Sequence, residues 1–328
     1  MTTTDVRPPA TNAPRRLRRP SSAAPGTWII TGATVLLALV ATVFVDNFAT
    51  GRNLRGLCLA VSLIGIIAVG LSLITLVGKV FTLSIPALVA LSTLVFASTL
   101  GLGSGWAMLI TVTLGAAVGL AQGLVVGRFE ADPIITTIAT AAVLNGIGQL
   151  WVEGRTVVGR GNSELFNSNV LGFLPFQTLV FVVLVVVVGS WHAKSVTGRM
   201  LTLVGLNSRA ANVAGMRSWP LVVLAFTVCG ATSALGASLL SAQTGQGTLL
   251  LGASFGFDAI VAVTVGGVSV RGGVGGPVGA AVGAVFVGLV ENVLALLGLS
   301  YQVQLVTQGV LVLVAVTLMG VAANRKRS

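Results

Sequence analysis

The sequence predicts an all-α, polytopic membrane helix bundle of about ten transmembrane helices, with broken or re-entrant segments and both termini cytoplasmic. Three observations carry this. Of 328 residues, 55% are hydrophobic and only 8% charged, with a mean hydropathy of +0.99. A soluble domain carries about 25% charged residues, so this chain could not cover a water-facing surface. Ten apolar runs recur, at about 27–45, 57–77, 83–100, 105–126, 133–151, 176–191, 219–240, 257–270, 275–297 and 305–321. The cations alternate with those runs. With the N-terminus inside, only Arg52, Arg55, Arg155 and Arg160 of the 19 Lys and Arg fall outside, as the positive-inside rule requires.

Residues 1–26 are polar and carry Arg15-Arg16-Leu17-Arg18-Arg19. They read as a disordered cytoplasmic tail. No small-residue cleavage site closes the run that follows, so it is expected to stay as a first helix rather than a removed signal peptide. Residues 27–322 form the membrane domain, and 323–328 a short basic tail. Runs 83–100 and 257–270 are shorter than the ~20 residues of a straight span, and are expected to be broken, tilted or re-entrant. That is tolerated only inside a protein bundle or beside a water-filled cavity. Glycine is frequent (42 residues). The ladder Gly115, Gly119, Gly123 and Gly127 has the four-residue spacing of close helix packing. Cys58 and Cys229 lie in apolar runs and read as small buried hydrophobes. The net charge of +11 follows from loop cations and does not point to nucleic acid.

Two polar connections stand out. Residues 152–175 lie outside and hold Gly154, Gly159, Gly161, Asn162, Ser163, Asn167 and Ser168. Residues 192–218 lie inside. There Asn207 or Ser208 could cap a short helix over Arg209–Ala214, with Gly215 ending it. A short rigid helix between two spans would move both when pushed.

The segment Phe255 to Ala284, FGFDAIVAVTVGGVSVRGGVGGPVGAAVGA, carries the most specific pattern. Asp258 heads an apolar run, Gly266-Gly267 and Arg271-Gly272-Gly273 break it, and Gly275, Gly279 and Gly283 share one face of the next run. This segment resembles the C-terminal signature of ABC importer permeases of the ribose/xylose/galactose class, F-D-x-D-A-I-A-A-V-x-L-G-G-x-S-x-x-G-G-x-G. The inside connection is similar to that family's coupling segment, G-x-N-x-x-A-A-x-x-x-G-I, with Gly205, Asn207, Ala210, Ala211 and Gly215 in place. Arg209 stands where the family often has Glu. The stretch Gly70–Leu91 resembles the family's interrupted helix G-M-T-L-V-I-L-T-G-G-I-D-L-S-V-G. Gly78, Leu83 and Ser84 fit, but the spacing from Gly78 to Ser84 is one residue longer. Thr82 replaces the family Asp, and Pro86 the later Gly.

The resemblance implies a permease domain over 27–322, a cytoplasmic coupling loop at 192–218, and a bacterial inner-membrane location. It implies cytoplasmic ABC ATPase subunits, an extracytoplasmic solute-binding protein and a second permease subunit as partners, with no cofactor. The solute expected is a monosaccharide or similar polar molecule. Coupling would rest on Asn207, Arg209, Ala210, Ala211 and Gly215, and the signature on Asp258, Gly266, Gly267, Gly272 and Gly273.

Candidate pathway residues are Thr82 and Ser84 at the interruption, with Thr136, Thr140, Asn145 and Gln149 in PIITTIATAAVLNGIGQLW, where Thr137 is also polar. Thr136 and Thr140 are four apart, as are Asn145 and Gln149, so each pair shares a face. These groups could line the path or bond neighbouring helices. Asp258 and Glu291 are the only acids inside apolar runs; Asp258 could equally cap its helix, and Glu291 reach headgroups. No Walker loop occurs, so ATP hydrolysis is expected on a separate subunit. One His and two separated Cys make no metal or triad chemistry. The alternatives are a nucleoside or branched-chain amino-acid permease of the same mechanism, and an ion-coupled secondary carrier, which would need deep ion-coordinating groups. A non-transporting scaffold has no need of the helix breaks.

Overall fold

Where no water reaches, each backbone N–H and C=O must be met within the protein, and helices do this segment by segment. A computed structural model describes residues 25–79, 82–161, 166, 169–170 and 174–325. Most of the expected N-terminal tail (residues 1–24), the end of the basic tail (326–328), and Asn162, Ser163, Asn167 and Ser168 lie outside the described residues.

The helices are α1 (Pro25–Phe44), α2 (Gly51–Leu76), α3 (Ile85–Thr99), α4 (Ser104–Arg128), α5 (Pro133–Val152), α6 (Phe176–Lys194), α7 (Val196–Leu206), α8 (Ser208–Val213), α9 (Trp219–Thr244), α10 (Phe255–Val265), α11 (Pro277–Leu296) and α12 (Tyr301–Arg325). Each apolar run falls on one of them. Among the described residues, seven helices (α2, α4, α5, α6, α9, α11 and α3 with its 3-10 extension to Leu102) are long and apolar enough to cross a membrane. The chain is an integral membrane protein. Helix α10, at 11 residues, spans about 16 Å, half of the ~30 Å hydrocarbon core. Helix α3 starts only at Ile85 with Pro86 in its first turn. Run 257–270 therefore ends short at Val265, whereas run 83–100 is one helix of spanning length that begins just after the α2–α3 break.

Local chemistry fixes the ends. Thr50 Oγ1 accepts from Asn53 N at the start of α2, and Asp132 Oδ1 accepts from Ile134 N and Ile135 N at 2.8 and 3.1 Å at the start of α5. Each such cap contributes about 1 kcal/mol. Proline stands in the first turn of α5, α9 and α11, where its missing N–H costs nothing. Gly275 precedes α11 in a left-handed turn (φ 99°), so it does not share the helical face of Gly279 and Gly283 as the spacing suggested.

Helix α2 is the axis of the bundle: every residue from Val61 to Leu76 is buried. Around it pack α9, α11, α10 and α6. Helices α4 and α9 make the most extensive pairing, and the glycine ladder explains it. A Cβ added at Gly115 would lie 2.4 Å from Gly230 O, at Gly119 2.2 Å from Phe226 O, and at Gly123 2.7 Å from Val223 Cα. Backbone touches backbone along this seam. Two short antiparallel pairings join connections: Val157–Val158 with Gln246–Gly247, and Asn169–Val170 with Leu174–Pro175.

The seam gives a direct test. Gly119→Ala puts a methyl into the α9 backbone and should lower thermal stability by about 1–3 kcal/mol. Gly146→Ala, in open space on α5, should be neutral or gain the helix propensity of alanine. Melting of both variants in detergent checks the contrast.

Candidate functional site

The break between α2 and α3 gathers a cluster of neutral polar groups. Helix α2 ends at Leu76, and Gly78 turns the chain with φ 78°. Thr82 and Ser84 are then buried, 3% and 2% exposed, with their hydroxyls 2.8 Å apart. Gln122 of α4 donates from Nε2 to Ser84 Oγ at 2.8 Å. Thr137 of α5, fully buried, accepts from Leu83 N at 3.3 Å. The broken backbone is thus held by side chains of two neighbouring helices. Beside the cluster a small cavity is lined by Thr82, Ser84, Gln122, Gly119, Phe226 and Ser233, among others. Ser233 Oγ is buried with no hydrogen-bond partner among the described residues. No described charged side chain lines this centre.

The other candidates divide. Thr136 and Thr140 are half-buried and donate to carbonyls of their own helix, Asp132 O and Thr136 O, both at 2.8 Å. Asn145 and Gln149 lie on the exposed face of α5, away from the cluster. The residue of this helix that reaches the break is Thr137. Gln122 carried no periodic signal of its own. It sits between Gly119 and Gly123 on the seam, and that position, one polar residue among ladder glycines, is the sign that could have found it.

The second locus is a junction of three chain breaks. The corner between α7 and α8 (Gly205-Leu206-Asn207) packs on the end of α2 and on the break after α10. A Cβ at Gly205 would lie 1.8 Å from Leu76 O and 2.6 Å from Gly273 N. A Cβ at Gly272 would lie 2.5 Å from Gly78 Cα. Gly273 N donates to Leu76 O at 2.9 Å. Gly78, Gly272 and Gly273 all have positive φ, at 78°, 87° and 72°, which side chains rarely adopt. Gly267 does likewise (φ 81°). Gly266 keeps a helical φ and packs against α11, where its Cβ would meet Gly279 O at 2.2 Å.

The short helix expected in the inside connection is α8. Asn207 is its cap, with Oδ1 accepting from Ala210 N at 3.0 Å, and Gly215 follows it with φ 81°. Arg209 and Ala210 are exposed. Ala211 faces inward at 3% exposed, while Val213 is 92% exposed. Every residue of α8 but Ala211 is exposed, Arg209, Ala210 and Val213 among them. Helix α7 was not foreseen in the sequence. Ser195 caps it, accepting from Gly198 N at 2.9 Å, and it buries Gly198, Leu201 and Val204 at three-residue intervals.

Asp258 does not cap its helix. Ser254 holds the N-cap position of α10, and Asp258 lies inside the first turn, 4% exposed. Glu291 does not reach outward; it accepts a hydrogen bond from Gln308 Nε2 of α12.

Replacing Gln122 with Leu strips Ser84 and the α2–α3 break of their partner. The cost should be about 1–3 kcal/mol, seen as a lower melting temperature, whereas Gln149→Leu on the exposed face should leave it unchanged.

The family described as branched-chain amino acid transport system / permease component matches residues 53–316. The ribose import permease protein RbsC of Bacillus subtilis (strain 168) is 29% identical over 298 residues, 89% of this chain and 91% of that protein. RbsC of Escherichia coli (strain K12) is 31% identical over 290 residues, 86% of this chain and 89% of its own length. The L-arabinose ABC transporter permease protein AraH of Azospirillum brasilense is 30% identical over 352 aligned positions, covering 99% of this chain and 96% of that protein. No solved structure matches. The matched span runs from the first turn of α2 to within α12 and takes in both the α2–α3 break and the glycine junction. The chain belongs to the family of ABC importer permease components that includes these ribose and arabinose permeases.

Proposed function

We propose that the chain is the translocation subunit of an ABC importer that moves a monosaccharide, of the size and hydroxyl content of ribose or arabinose, into the cell. The single observation that carries the choice of solute is the charge-free polar centre at the α2–α3 break. Thr82, Ser84, Gln122 and Thr137 offer only hydroxyl and amide groups, which suit a neutral polyol. A zwitterionic amino acid would leave its two charges without partners there, at high cost in a dry site. The sugar permeases among the relatives support the same reading.

In this reading the termini and the 192–218 connection face the cytoplasm, and the protein resides in the bacterial inner membrane. Two permease copies stand on two ATPases, a binding protein delivers solute to the opposite face, and ATP is hydrolysed only on the ATPases. Helix α8 docks in an ATPase groove through Arg209, Ala210 and Val213. Closure of the ATPases pushes α8. The push reaches the ends of α2 and α10 through Gly205 and Gly273, because those backbones touch. The permease then favours one orientation of the central cavity over the other, which is all that a coupling partner can do.

The test is ATP-driven uptake in liposomes holding the permease with its ATPase, supplied with loaded binding protein. Labelled ribose and arabinose should accumulate at least tenfold over an ATP-free control, a free-energy difference of about 1.4 kcal/mol, and unlabelled leucine should not compete. Val213→Glu should abolish co-purification with the ATPase and uptake, while the variant still melts as wild type. Accumulation driven by an ion gradient with no ATPase present would overturn the importer reading, and competition by leucine would overturn the solute.

A further inference from the structure

Asp258 of α10, Glu291 of α11 and Gln308 of α12 meet where these three helices pack. Asp258 is 4% and Gln308 5% exposed, and Glu291 is half-buried. Gln308 Nε2 donates to Glu291 Oε1. Ser254 and Gln308 face the Asp258 carboxyl within hydrogen-bonding reach. Yet Asp258 Oδ1 and Gln308 Oε1 are both buried and have no partner among the described residues. A carboxylate oxygen and an amide oxygen are both acceptors, so neither can satisfy the other unless one of them carries a hydrogen.

No cation supplies the missing positive charge. The only ion pair among the described residues is Arg155–Glu153, in another connection. Helices α1, α3 and α10 bring no other charged side chain to the cluster. Helix α2 brings Arg52 and Arg55 in its first turns, near Glu291, since Asn53 bonds Asn292 at 2.8 and 3.0 Å; neither arginine pairs with an acid. Cys58 of α2 is half-buried. His192 of α6 stands at the other end of α11, by Gly276, and Lys194 ends α6. Arg325 closes α12 far along the helix from Gln308.

One proton resolves both orphans. A protonated Asp258 donates to Gln308 Oε1, and Gln308 Nε2 continues the chain to the Glu291 carboxylate. The burial difference decides which acid holds it. Asp258 is almost fully enclosed, where a charge is least tolerated, and Glu291 has partial access to solvent. We propose that Asp258, Gln308 and Glu291 form a single-proton site, with the proton on Asp258 relayed as hydrogen bonds through the Gln308 amide to an ionised Glu291. The site ties α10, the helix before the glycine junction, to α12. Movement that parts them frees the proton, so proton binding and that movement are linked. This holds whatever solute the permease carries.

Infrared spectroscopy of the full chain in nanodiscs near neutral pH tests it. The carbonyl stretch of a protonated carboxylic acid should be present in wild type, lost in Asp258→Asn, and kept in Glu291→Gln. Asp258→Asn, whose amide can donate to Gln308 Oε1 as the acid does, should melt within about 2 °C of wild type, and Asp258→Leu well below it. Absence of the band in wild type, or its loss only in Glu291→Gln, would overturn the proposal. So would sodium raising the wild-type melting temperature while removing the band, since the bound positive species would then be a metal ion.

Discussion

Everything in this protein that departs from a plain helix bundle depends on one constraint: a backbone group freed inside the bundle must find a partner in the protein. Three helices stop or turn at about the same place, α2 at Leu76, α7 at Leu206 and α10 at Val265. The carbonyl of Leu76 is met by Gly273 N from another break. That bond requires the backbones to touch, so Gly205 and Gly272 can bear no side chain, while Gly78 is set by its left-handed φ of 78°. The breaks are affordable because they repair one another. The same contact makes the corner that carries α8 continuous with the two central breaks, and a continuous contact is what transmits a push.

Much of this was legible in the chain. Hydropathy placed every long helix, because a span must be apolar for about 20 residues. The ladder Gly115 to Gly127 marked α4 for close packing, while its partner, α9, shows only in the structure. Asn207 and Gly215 bracketed α8 because capping is local chemistry. The missed features are all long-range. Helix α7 is short, and its buried face exists only in contact with α2, α6, α8 and α9. Gln122 and Ser233 become a site only when α4 and α9 bring them to Ser84. Asn145 and Gln149 matched the helical period but on the outward face, and period alone carries no direction. Ala211 fits its motif yet points inward, which leaves the exposed surface of α8 to its other residues, with Val213 the most exposed apolar one.

The loss of the family carboxylate at Thr82 has a structural answer. Thr82 and Ser84 are hydrogen-bonded to each other, and Gln122 donates to Ser84, so the break is held by neutral groups. The two acids inside apolar runs, Asp258 and Glu291, lie instead at the α10–α11–α12 junction, where Gln308 donates to Glu291, separate from the neutral centre. Neutral hydrogen bonding at the α2–α3 break and ionisable groups at a helix junction are thus kept apart.

The most direct measurement is hydrogen exchange on the wild type and on Gly205→Ala. The substitution places a methyl against Leu76 O and Gly273 N. If the junction is one mechanical unit, amides in 205–215 and in 266–276 lose protection together, although the two segments are far apart in sequence. Loss confined to 205–215, with 266–276 as protected as in wild type, would show that the α7–α8 corner moves alone and that the breaks do not carry its motion.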